Sequence, residues 1–218
     1  MELINRNEIF QKNPNITNLI ISFQKVINGE DNFEEVDEMF DAINLPSNKS
    51  KNTGFNLMLF HENIDTYSGL LSLKLKELLG FLKTENLILI SHLKIDYFGN
   101  LEHDYEKVKN AYALLKGITK SNSFKEAITT KVSKIDILVE IFFWLERCDG
   151  SIPEYIFWVD ENDRFCFYLC KYGNIHFVNF TEGDLISENM LLELGFAINE
   201  DFDQFSKSSR IDNRKIKL

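Results

Sequence analysis

The stretch YIFWVDENDRFCFYLCKYGNIHFVNF, from Tyr155 to Phe180, decides how this chain is read. It holds three runs rich in aromatic and β-branched residues: Tyr155 to Val159, Arg164 to Lys171 and Asn174 to Phe180. Turn-like residues separate them, Glu161-Asn162-Asp163 first and Tyr172-Gly173 second. Such runs bounded by such punctuation predict strands joined as hairpins. The expectation is a three-stranded antiparallel meander. With Tyr172-Gly173 as a two-residue turn, Phe167 lies opposite Val178 and Tyr168 opposite Phe177. Side chains alternate along a strand, so Phe165, Phe167 and Leu169 share one face, and Cys166, Tyr168 and Cys170 the other. Both faces are apolar. Either helices cover both, or one is a binding surface; the helices upstream favour coverage.

Outward from the meander, the period becomes helical. Ile16, Leu19, Ile20, Phe23 and Ile27 mark a helix after Pro14-Asn15. A second is expected from Asn32, with Glu35 closing a capping box and Phe33, Val36 and Phe40 as its apolar face, stopped by Pro46. Leu71, Leu75, Leu78, Leu79 and Leu82 mark a third. Tyr105, Val108, Tyr112 and Leu115 mark another, ending near Gly117, and Ser133 with Asp136 opens one that runs to Gly150. Leu87 to Ile95 fits a buried helix or a strand equally. Downstream, Ser187 to Leu194 reads as a short helix with Gly195 in the left-handed position after it. The fold class expected is α+β: a mostly helical N-terminal two thirds packed with a C-terminal three-stranded antiparallel meander and a short helix. Residues 1–205 are expected to form one domain, with a sub-boundary at 149–153, and 206–218 a basic flexible tail.

Composition bounds the function. The 218 residues carry 24 Lys+Arg against 34 Asp+Glu, a net charge of −10. Phosphate affinity comes mainly from basic residues, so a nucleic-acid partner is not expected. No apolar run approaches the ~20 residues of a membrane span; Glu140 interrupts the strongest, Ile137 to Leu145. The start of the chain, Met1 to Phe10, does not read as a secretory signal. Three cysteines, Cys148, Cys166 and Cys170, are expected to be reduced thiols in a cytoplasmic protein.

Motifs for chemistry are sparse. Phosphate-cradling glycine loops and the nucleophile elbow do not occur in the sequence. Asp160-Glu161-Asn162-Asp163 begins like a calcium loop, but Phe165 stands where that loop needs Gly. His61-Glu62 lacks the second His of a zinc-protease helix, because Asp65 is there instead. Cys166 and Cys170 are four residues apart, ~13 Å along a strand, too far for a disulfide or easy shared ligation. Cys148 with His176 offers a nucleophile and a base, but the sequence puts no contact between them. His103-Asp104 resembles the adjacent ligand pair of the HD phosphohydrolase superfamily. That resemblance covers two residues and implies a metal-dependent hydrolase, with His61 or His92 and Asp136 completing the set. The competing reading puts Asp104 in the first helical turn, complementing the helix dipole.

The acidity is concentrated. Net charge is −6 over residues 31–65 and −9 over 151–205, against +4 in 206–218. One acidic segment is the expected helix carrying Glu34, Asp37, Glu38 and Asp41. The other decorates the meander. An up-down-up path brings the first turn to the end of the third strand, placing Asp160, Glu161 and Asp163 beside Glu182 and Asp184. An acidic rim steers cationic partners. The function expected is a non-enzymatic acidic binding protein with no catalytic residues, cofactor or metal. Its concrete form is an immunity or antitoxin-type inhibitor of a basic, nuclease-like toxin. The alternatives are the hydrolase around His103 and Asp104, or a structural subunit of a larger complex.

Overall fold

A computed structural model describes residues 1–28, 38–41, 43, 52–183 and 185–206. In chain order the elements are β1 (Glu2–Ile4), α1 (Arg6–Lys12), α2 (Pro14–Asn28), β2 (Thr53–Met58), α3 (Ile64–Phe81), β3 (Asn86–Ser91), α4 (Glu106–Thr119), β4 (Ala127–Lys131), α5 (Ile135–Cys148), β5 (Ile156–Asp160), β6 (Phe165–Leu169), β7 (Ile175–Asn179), α6 (Glu188–Glu193) and β8 (Ala197–Ile198). The strands form one eight-stranded sheet in the order β1-β4-β3-β5-β6-β7-β2-β8. Every neighbouring pair is antiparallel.

This corrects the expected fold class. The meander exists as β5-β6-β7, but it is the middle of a wide sheet, and four of the other five strands come from the supposedly helical N-terminal two thirds. Residues 87–91 resolve as strand. β3 lies between β4 and β5, and its two faces meet two different cores: Leu87 and Leu89 face one, Ile88 and Ile90 the other. A strand buried on both faces reads as a continuous apolar run without alternation.

The helices form where the sequence caps them. Pro14 occupies the first position of α2, where its missing N–H costs nothing. Asn63 accepts from the Asp65 N–H at the start of α3, and Ser187 from the Met190 N–H at the start of α6. Gly195 follows α6 with φ +89°. Asp104 lies before the α4 cap Tyr105 rather than in its first turn. The second helix expected from Asn32 falls largely outside the described residues, as do Glu34, Asp37 and the tail from 207.

Helices α3, α4 and α5 cover one face of the sheet. Leu138, Val139, Phe142, Phe143 and Leu145 of α5 join Trp158, Phe165, Phe167 and Phe177 in the main core. Trp144 and Trp158 are both buried. Helices α1 and α2 cover part of the other face, where Ile9, Phe10, Ile16 and Ile20 pack on Phe157, Val159 and Cys166. Towards β7 and β2 that second face opens: Tyr168, His176, Val178 and Asn56 are half-buried.

Register within the β6–β7 hairpin differs from expectation by one residue. Phe167 pairs with Phe177 and Tyr168 with His176. The connection is a three-residue loop, because Gly173 N–H donates to Cys170 O at 2.8 Å and Cys170 N–H to Asn174 O at 3.0 Å. Gly173 takes φ +81°. This is a type I turn followed by a left-handed bulge residue, the usual three-residue hairpin loop.

Candidate functional site

The acids singled out in the sequence divide into inward and outward groups. Asp160 is fully buried. Its carboxylate accepts from Arg164 at 2.7 and 2.8 Å and from the Thr84 hydroxyl at 3.0 Å. Asp163 is also buried, at φ 55°. Its carboxylate accepts the Asn15 and Ile16 N–H groups at 2.6 and 3.1 Å. It thus caps the first turn of α2 from a distant loop, where a carboxylate meets the positive end of the helix dipole. Burial nevertheless pushes Asp163 up to about 6. Glu161, Glu182 and Glu38 are exposed, while Asp184 lies outside the described residues. Asp41 is not on a solvated face: it is buried and paired with Arg6 at 2.6 Å. Of the acids singled out at this end of the sheet, those that face outward among the described residues are therefore Glu161 and Glu182.

The hydrolase ligand set is not assembled. His103 Nδ1 accepts from the Tyr105 N–H at 3.0 Å. His61 bonds Thr66, His92 bonds Tyr155, and Asp136 pairs with Lys76.

At the opposite end of the sheet, the chain leaving β8 is pinned into a defined segment. It turns at Asn199, φ 61°, whose N–H donates to Asn56 O at 2.7 Å. Both carboxylate oxygens of Asp203 accept from Arg147 Nη2, at 3.1 and 3.2 Å, while Arg147 Nη1 donates to Lys171 O at 3.0 Å. Gln204 clasps the exit of β2 twice: its amide donates to Leu59 O at 2.7 Å and accepts the His61 N–H at 2.8 Å. This double clasp lays residues 200–204 beside residues 59–61. Phe60 and Phe202 consequently stand side by side, ring centroids 6.3 Å apart. They are 63% and 44% exposed, unusual for rings of this size. Acidic residues adjoin each ring in sequence, Glu62 near Phe60, and Glu200 and Asp201 before Phe202; all three are exposed.

Asp201 also reaches the open face of the sheet. Its Oδ1 lies 3.9 Å from His176 Nε2 and 3.9 Å from Cys170 Sγ. The donor atoms of Cys170, His176 and Asp201 all lie within 4.8 Å of one another, the one such group of three among the described residues. Asn174 Nδ2 holds Asp201 Oδ1 at 3.0 Å and Phe202 O at 3.3 Å. Tyr168 stacks on the His176 ring, centroids 4.7 Å apart and planes 4° apart. Burial lowers His176, against the opposing pull of Asp201, and so favours the neutral ring. Burial pushes the Cys170 thiol up to about 11. A thiol held protonated is a poor nucleophile. The geometry also differs from a nucleophile relay, where the His separates thiol from carboxylate: here thiol and imidazole converge on one oxygen.

Sequence reasoning missed this cluster because of the hairpin register. With a two-residue turn, His176 falls on the Leu169 face, away from Cys170. The three-residue loop moves every β7 side chain to the other face. Cys148, the nucleophile that the sequence offers to His176, belongs to the buried helical core on the far side of the sheet. No family model matches the chain, and no curated protein or solved structure matches it.

Proposed function

We propose that this chain is a cytoplasmic, acidic binding protein that neutralises a cationic protein partner, in the manner of an immunity or antitoxin-type inhibitor. The observation that carries this reading is the exposed Phe60–Phe202 pair with Glu62, Glu200 and Asp201 beside it. Interfaces concentrate their energy in a few aromatic anchors, while surrounding charges set association rate and partner choice. The pinned backbone supports the same reading, since a preorganised surface has less ordering entropy to lose on binding. A net charge of −10 favours a basic partner.

The partner to test is the product of the adjoining gene, coexpressed with this chain. Protection of the cells and a purified complex are the expected results. A toxic neighbour that remains toxic would overturn the pairing. Within the complex, a Phe60→Ala/Phe202→Ala double variant should weaken affinity by about 30-fold or more, chiefly through faster dissociation. A Glu62→Lys/Glu200→Lys variant should slow association, and less so at high salt. The comparison is Glu161→Lys/Glu182→Lys at the other end of the sheet. If only that pair weakens binding, the partner docks there instead.

A further inference from the structure

We propose that Cys170, His176 and Asp201 form a Zn²⁺ site on the open face of the sheet, with a fourth position left for water or an external ligand. This does not rest on the binding reading above, because the ion is tested alone on the isolated chain. Three donors of different chemistry converge: a thiol, an imidazole nitrogen and a carboxylate oxygen, mutually within 4.8 Å. Ligand atoms around a tetrahedral zinc, at 2.0–2.3 Å from the metal, stand ~3.3–3.6 Å apart. The 3.9 Å separations of Asp201 Oδ1 from both partners are close to that. The Cys170 and His176 donor atoms stand within 4.8 Å of each other, so ion binding draws them together by at most about 1.2 Å. Sulfur and imidazole select zinc-like ions over calcium or magnesium, which take oxygen donors.

The surroundings are those of a ligand set held in place. Asn174 fixes the Asp201 carboxylate, and Tyr168 fixes the plane of His176; such outer contacts orient metal ligands. Asn174 itself is fully buried, and its Oδ1 has no hydrogen-bond partner among the described residues. An orphaned acceptor in the amide that holds a ligand is a cost in the metal-free chain. On binding, the sulfur–hydrogen bond is exchanged for a sulfur–zinc bond, and the proton passes to solvent. The ion ties the β6–β7 hairpin to the segment after β8, the same segment that presents Phe202.

Reduced, chelator-treated protein is titrated with Zn²⁺ alone and with Co²⁺ alone. One ion per chain is expected, with a thiolate-to-cobalt charge-transfer band and a higher Tm in Zn²⁺. Cys170→Ser should abolish the band and the Tm gain. His176→Gln and Asp201→Asn should each weaken Zn²⁺ binding at least tenfold, and Asn174→Ala by about tenfold as the residue that positions Asp201. His61→Gln, outside the cluster, should bind as the unaltered chain does. Circular dichroism checks that each variant folds. The site is overturned by a cobalt titration without the band. It is equally overturned by a band that survives Cys170→Ser, or by unchanged Zn²⁺ affinity in both His176→Gln and Asp201→Asn.

Discussion

Asp163 shows how much a single residue's role depends on its partner. Sequence identifies an acid in a polar turn, and solvent is the ordinary destination of such a group. Its actual partners, Asn15 and Ile16, are 148 and 147 positions away. Nothing local announces them. The same holds for Asp41, drawn inward by Arg6, while Gln24 and Ser91 complete that buried network. Asp160 differs in that its partner, Arg164, is four residues along. That partner is local, but the acidic-rim reading places Asp160 in solvent, whereas both the pairing and the burial come from the fold. Asp163→Ala removes the cap on α2 and should cost about 1–2 kcal/mol. Asp163→Asn keeps a carbonyl acceptor and tolerates the left-handed backbone, so it should cost only a few tenths to ~1 kcal/mol. Urea denaturation at neutral pH checks both, read as a shifted midpoint at constant slope. Equal losses in the two variants would show that the carboxylate charge, rather than the hydrogen bonds, supports the helix.

At the scale of elements, strong patterns were legible and weak ones were not. The apolar stripes of α2, α3, α4 and α5 stand out in the sequence, as do the aromatic strands β5, β6 and β7. β4 reads AITTK and β2 reads TGFNLM, with too little alternation to separate them from loops. β1 and β8 have three and two residues, too short for any period. Such strands exist because the sheet supplies hydrogen-bonding neighbours, not because their own side chains demand extension. The hairpin loop was the costliest misreading, since one extra residue hid Cys170 from His176. Gly173 fixes that loop. A Cβ there would stand 2.7 Å from Tyr67 Cε1 and 2.8 Å from Phe143 Cε2, and the backbone is left-handed besides. Both rings are buried in the main core. Gly173→Ala therefore combines strain with overpacking and should destabilise by about 2–4 kcal/mol. A lowered urea midpoint checks it. A change below about 0.5 kcal/mol would mean that the loop re-forms with a different register.

For the whole molecule, buried ionisable groups packed against the same helix, α2, respond to acid in opposite directions. His92, at the end of β3, is buried against Tyr155, and loss of solvation brings it down to about 4 despite the Tyr155 hydrogen bond. The unfolded chain, with His near 6.5, takes up that proton first. The stability due to neutral His92 is thus complete above about 6.5 and is lost as pH falls towards 4. Asp163 has the opposite sign. Its folded value near 6 lies above the unfolded 3.8, so the native state binds the extra proton. Its contribution is complete below 3.8 and is lost as pH rises towards 6. Between about 4 and 6 the two slopes oppose one another. His176, also lowered by burial, acts with His92, and Asp149, held down by Tyr112 and backbone hydrogen bonds despite its own burial, loses stability as pH falls below its ordinary 3.8. Removing Asp163 therefore exposes the histidines. Asp163→Asn should make stability fall more steeply on acidification across this window, by at most ~1.4 kcal/mol per pH unit for one proton. His92→Gln should make the same profile shallower. Urea midpoints for the three proteins, measured at intervals from pH 7 down to about 4, decide the matter. Parallel profiles would show that neither group changes protonation on unfolding in that range, and that the acid response of the fold arises elsewhere.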